Sequence, residues 1–278
     1  MRRILQVAHL GLITAVMAFG GFWIYGQVTT VAQARSTSQR TNSSAVNEAA
    51  LSDTVRSIIA NNNDLDIGVT ITDVQTNKSY HWGETASYTA ASLGKIITAC
   101  AYLNQVEQGS QNLNDDIEGL SGREQLTRLI TNSDNDAWAV LNDQLTADGI
   151  EAYAASIGLS GYAPDTNLLT SSDIADVLAK LYQGSLLDKN NTAFLLSLLK
   201  NANMRDYIVA AIPSGTTVYH KVGYLDDRLN EAAIITRNNR SYVLTIFSKT
   251  TSGDEYDFSR GGDVFGAITK ASLQAFFP

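Results

Sequence analysis

In the stretch Ala91-Ser92-Leu93-Gly94-Lys95 a hydroxyl and a primary amine stand three residues apart. If a helix starts there, the two side chains share one face. A serine hydroxyl is a weak nucleophile until a base takes its proton. A lysine becomes that base when burial or a neighbouring cation lowers its pKa. Ser92 at a helix N-terminus would also offer its backbone N–H where charge builds up on a substrate carbonyl. The spacing alone decides nothing, because Ser197-Leu198-Leu199-Lys200 repeats it inside an apolar helical run, where a solvated helix face is the expected reading.

Two further stretches carry chemistry-bearing side chains. Asn132-Ser133-Asp134-Asn135 falls between two helical segments, where Ser or Asp commonly caps the following helix. Its functional alternative gives Ser133 a hydroxyl that passes a proton to a leaving nitrogen, with Asn135 holding a substrate amide and Lys95. His220-Lys221-Val222-Gly223 lies on a predicted strand. An edge strand with a glycine admits close backbone approach by an extended substrate, and Lys221 would meet a substrate carboxylate. A surface lysine is the plainer reading of that strand taken alone.

The elements that must position these residues follow from periodicity. A helix is expected over 48–60, then strands over 66–73 and 79–82. Helices follow over 92–108, 122–132, 135–145, 148–157 and 171–183, and helical character continues over 191–211. Three strands close the order, over 217–224, 231–237 and 240–248, before a terminal amphipathic helix over 261–276. Paired asparagines in Arg237-Asn238-Asn239-Arg240 suit a tight hairpin turn. Two opening strands, a helical middle and three closing strands imply an α+β fold. It should hold an antiparallel sheet of about five strands, flanked by helices, with an inserted all-helical region.

The ends and the composition set the surroundings. Residues 1–27 combine Met1-Arg2-Arg3 with an apolar run from Ile4 to Gly26, long enough to span a bilayer. They read as a signal-anchor, or as a secretory signal cleaved after Ala34; both place the remainder outside the cytoplasm. Residues 28–47, rich in Ser, Thr, Asn and Gln, read as a flexible stalk, and 48–278 as the folded domain. A net charge of −8 excludes a nucleic-acid partner. Cys100, the single cysteine, sits on an apolar helical stripe as a buried structural thiol. His9, His81 and His220 are scattered, so no metal site is expected, and without a Gly-rich phosphate loop no cofactor is implied. For His220 a packed or exposed ring is the reading, with a role in orienting its strand as the alternative.

The order Ser-x-x-Lys on a helix, Ser-x-Asn between helices and Lys-x-Gly on a late strand resembles the serine β-lactamases and D-alanyl-D-alanine peptidases. It is most similar to the class A β-lactamase domain. Ile130–Ala137, Leu169–Ala175 and Asn230–Ile235 add flanks similar to that family. The resemblance makes Ser92 the acylated nucleophile, Lys95 its base and Ser133 the proton shuttle. Asn135 becomes an amide contact and Lys221 the carboxylate anchor beside Gly223. The oxyanion hole would be the backbone N–H groups of Ser92 and Tyr224.

The chain also departs from the family. The glutamate that activates the deacylating water, four residues before an asparagine on the omega loop, is missing; Asp165 is the one carboxylate in 158–167 and reads as a turn residue. The connection from Lys95 to Ser133 is compact, Val222 replaces the usual hydroxyl residue, and only Arg228 stands near the place of the family's later arginine. An extracytoplasmic serine hydrolase that acylates Ser92 from a β-lactam or D-alanyl-peptide amide is therefore expected, with efficient β-lactam hydrolysis doubtful. A D,D-peptidase or other peptide or ester hydrolase, and a non-catalytic cell-wall peptide-binding module, are the alternatives. Oligomeric state is left open.

Overall fold

The computed structural model describes residues 47–278. The expected membrane segment and nearly all of the expected stalk lie outside the described residues. Among the described residues no helix is long and apolar enough to cross a membrane.

The chain runs α1 (Glu48–Ala60), β1 (Leu65–Asp73), β2 (Ser79–Gly83), β3 (Tyr88–Thr89), a 3-10 turn at Ala91–Leu93 and α2 (Gly94–Glu107). It continues through β4 (Asp116–Ile117), β5 (Leu120–Ser121), α3 (Gly122–Thr131), α4 (Asn135–Leu145), α5 (Ala147–Ser156), β6 (Leu168–Leu169), α6 (Ser171–Tyr182) and α7 (Lys189–Lys200). A second 3-10 turn at Val209–Ala211 leads to β7 (Thr217–Leu225), β8 (Arg228–Arg237), β9 (Arg240–Thr250) and α8 (Phe258–Phe276). The five long strands form one antiparallel sheet in the order β2-β1-β9-β8-β7. The expected α+β architecture is the one observed.

The sheet separates two apolar cores because its side chains alternate between faces. Val222, Leu229, Ala233, Leu244 and Ile246 face α1 and α8, whereas Ala232, Ile234, Val243 and Phe247 join the core beneath the helical region. Helices begin where the local chemistry satisfies their first N–H groups. Ser121 with Glu124, and Thr170 with Asp173, form reciprocal capping boxes on α3 and α6. The β8–β9 hairpin turns on Asn238 and Asn239, both at positive φ (50° and 60°), as the paired asparagines required.

The largest departure from expectation lies before β7. Helical character over 191–211 breaks after Lys200, and residues 201–208 cross the sheet edge as irregular chain with Met204 at φ 59°. Tertiary bonds outcompete helix propagation there: the Asn203 N–H goes to Thr131 O (3.0 Å) and the Ile208 N–H to the Glu231 carboxylate (2.6 Å).

Candidate active site

Ser92 sits in the 3-10 turn and Lys95 in the first turn of α2. Ala91 enters that turn at φ 51°, a strained conformation for a residue with a Cβ. Asn167 holds it: its Nδ2 donates to Ala91 O (2.8 Å), and its backbone oxygen accepts from the Ala90 N–H (2.9 Å). Sequence reasoning missed Asn167, whose only signal was its position in a polar turn.

Lys95 is fully buried, and burial pushes its amine down to about 8, with Asp134 opposing the shift. Its Nζ lies 3.0 Å from Ser92 Oγ, 2.6 Å from Ser133 O and 2.6 Å from Asn135 Oδ1. Once neutral, the amine keeps two N–H donors and one lone pair. The two carbonyl oxygens take the donors, which aims the lone pair at the Ser92 hydroxyl. That is the arrangement of a general base beside a nucleophile. The Trp138 ring lies 5.0 Å from Nζ, with its own Nε1 donating to Thr98 Oγ1 (2.9 Å).

In Asn132-Ser133-Asp134-Asn135 the two readings are divided between residues. Asp134 caps α4, accepting from the Asp136 and Ala137 N–H groups, and is braced by Arg128. Ser133 and Asn135 are thereby free for the site. Ser133 adopts φ 58°, and its Oγ lies 3.4 Å from Lys95 Nζ and 2.7 Å from Lys221 Nζ. Lys221 reaches that hydroxyl from β7 and is 2 % exposed. Burial, reinforced by Lys95, pushes its amine down to about 7. The surface-lysine reading of that strand does not survive.

Gly223 explains the meeting of strand and turn. A Cβ there would lie 2.7 Å from Ala90 O, 2.8 Å from the Ser92 N and 3.0 Å from the Leu93 N. Its closeness is therefore to the backbone of the turn that carries Ser92, which sets β7 against the Ser92 N–H. Tyr224 follows, half-exposed at 51 %, with its ring against Phe258 (5.7 Å between centroids).

A family model described as the β-lactamase enzyme family matches residues 50–276. The chain belongs to that family. Solved structures give the same fold: PBP-A superposes with a TM-score of 0.74 at 21% identity, covering 81% of this chain and 95% of that one. A point mutant of PBP-A, described as an acyl-enzyme complex with penicillin G, gives 0.74 at 20% identity, covering 82% and 96%. A β-lactamase from Sphaerobacter thermophilus gives 0.72 at 20% identity, covering 83% and 98%. No curated protein sequence matches the chain. Family and fold make this domain a β-lactamase-like serine hydrolase scaffold.

The remaining sequence-level candidates find plainer places. Ser197 and Lys200 are exposed on α7, a solvated face. The Cys100 thiol is buried, and desolvation raises it to about 12, so it is inert. Asp165 is exposed and its Oδ1 accepts from the neighbouring Thr166 N–H (2.7 Å), as a turn residue does. Arg228 is engaged by both carboxylate oxygens of Asp227. Val222 packs into the α8 core. His220 is packed, against Glu231. Among the described residues no His, Cys, Asp and Glu cluster could hold a metal ion.

Proposed function

We propose that the domain forms an acyl-enzyme on Ser92 from a β-lactam or a D-alanyl-peptide amide and releases it slowly. One observation carries the reading. A buried, pKa-lowered Lys95 bridges Ser92 and Ser133, and Lys221 holds Ser133 from the other side. Lys95 takes the Ser92 proton as Oγ attacks the carbonyl carbon. The Ser92 and Tyr224 N–H groups face the developing oxyanion, each such donor being worth roughly 10²–10³ in rate. Ser133 then gives its proton to the leaving nitrogen as it takes the one that Lys95 carries, and Lys221 attracts the substrate carboxylate. The PBP-A mutant described as a penicillin G acyl-enzyme shares the fold, which favours β-lactams as ligands. No carboxylate of the 158–167 loop stands ready to activate a hydrolytic water, which favours a persistent ester.

Intact mass after incubation with a β-lactam tests the reading. A stable adduct is expected, absent in Ser92→Ala and much delayed in Lys95→Ala. Normal labelling of Ser92→Ala would sink the assignment, and rapid drug consumption would point to a deacylating base elsewhere. Met1-Arg2-Arg3 and the apolar run behind it support an extracytoplasmic, membrane-tethered or secreted domain. Alkaline phosphatase fused after Pro278 should be active in bacterial cells; an inactive fusion would place the domain inside.

A further inference from the structure

His220 and Glu231 are completely buried, and the acylation chemistry uses neither. They lie on the sheet face opposite Lys221, since residues 220 and 221 alternate along β7 and Glu231 pairs with Val222 across β8. Replacing such a pair by apolar residues is often neutral or stabilising, so holding two strands together does not account for it. Its outer atoms reach further. Glu231 Oε1 meets His220 Nδ1 (2.9 Å), Oε2 accepts from the Ile208 N–H (2.6 Å), and His220 Nε2 faces Ala202 O (3.3 Å).

Those two backbone contacts pin both ends of the irregular segment 202–208. Within it, the Asn203 N–H donates to Thr131 O (3.0 Å) and Asn203 Nδ2 to Asn132 O (3.3 Å). Thr131 and Asn132 directly precede Ser133, whose φ of 58° must be imposed by its surroundings. Hydrogen bonds thus tie the buried pair to segment 202–208 and tie its Asn203 to Thr131 and Asn132, from which the backbone leads directly into the serine between the two lysines.

We propose that His220 and Glu231 are positioning residues that, through Asn203, hold the Ser133 hydroxyl and carbonyl in register with Lys95 and Lys221. The inference leans on the acyl-transfer reading for its rate measurement alone.

The full chain carrying ¹³C at lysine Cε, with its Glu231→Leu, Glu231→Gln and Asn203→Ala variants, tests it by NMR titration. Glu231→Leu strips the partners of His220 Nδ1 and the Ile208 N–H, whereas glutamine keeps an acceptor and an amide there. Lys95 and Lys221 should titrate at lower pH in Glu231→Leu, because their charged forms lose the Ser133 oxygens as acceptors. Glu231→Gln should restore the wild-type titration, and Asn203→Ala should shift it in the same direction by less. Acylation by penicillin G should slow about 10- to 100-fold in Glu231→Leu with the noncovalent inhibition constant little changed, the signature of misplaced groups. Lysine titrations unchanged in both Glu231→Leu and Asn203→Ala overturn the inference. If Glu231→Leu fails to fold, the exposed Asn203 position decides alone. If the wild type forms no penicillin adduct, the acyl-transfer reading with β-lactams falls, and the lysine titrations still decide this one.

Discussion

Lys95 and Lys221 are both buried and share the Ser133 hydroxyl, so a proton on either amine disfavours a proton on the other. On the proposed mechanism the productive free enzyme has Lys95 neutral, to accept from Ser92, and Lys221 charged, to meet a carboxylate. Lys95 loses its proton as pH rises through about 8, and Lys221 loses its own through about 7. The second-order rate of acylation should therefore be bell-shaped with a maximum between those values, its limbs belonging to the coupled pair. Stopped-flow labelling across pH checks this. A rate still climbing where ordinary lysines titrate would mean that Lys95 is not the base.

At the scale of elements, the β7 strand and the loop before β6 decide what Ser92 can do. Gly223→Ala would drive a methyl into Ala90 O and the Ser92 N, neither of which can yield without moving the nucleophile turn. Overpacking of this kind costs typically ~1–3 kcal/mol. Acylation should fall more steeply than stability, measured by labelling rate against melting temperature; an intact rate would show that β7 need not touch the turn. In the loop, Asn167 is fastened to the nucleophile turn through Ala91 O, and the residue four positions earlier is the half-buried Ala163. A general base contributes roughly 10²–10⁴ when well placed. Ala163→Glu should shorten the life of the penicillin adduct by about tenfold or more, followed by mass decay. An unchanged lifetime would mean that position 163 does not reach the ester.

Across the whole molecule, the site stores instability. A lysine whose folded pKa lies below its unfolded value binds fewer protons when folded, so its penalty is full below the folded pKa and fades as pH rises towards the unfolded value. For Lys221 that window runs from about 7 up to the ordinary 10.5. Lys221→Met should therefore raise the melting temperature by roughly 5 °C or more below neutral pH, and by much less at strongly alkaline pH. Calorimetry at the two extremes would show it; a gain independent of pH would assign the effect to packing. The same variant should lose acylation, because the charge that destabilises the fold is the one proposed to attract the substrate carboxylate.

Much of this was legible in the chain because it is local. Period-two alternation in 66–73 and the Asn238-Asn239 turn each act within a few residues, so those elements emerged with small errors at their ends. Ser92, Lys95, Ser133, Asn135, Lys221 and Gly223 were each weak signals, and their order along the chain, rather than any spacing, singled them out. Two-residue strands such as β3 and β6 are too short to show a period. What folding alone decided depends on contacts between distant segments. The 201–208 break comes from bonds to Thr131 and Glu231, and the glycine at 223 answers to a backbone far earlier in the chain. The lysine pKa shifts, the Asn167 brace and the buried His220–Glu231 pair are of the same kind. Desolvation and proximity are properties of the packed cavity, and no stretch of sequence carries them by itself.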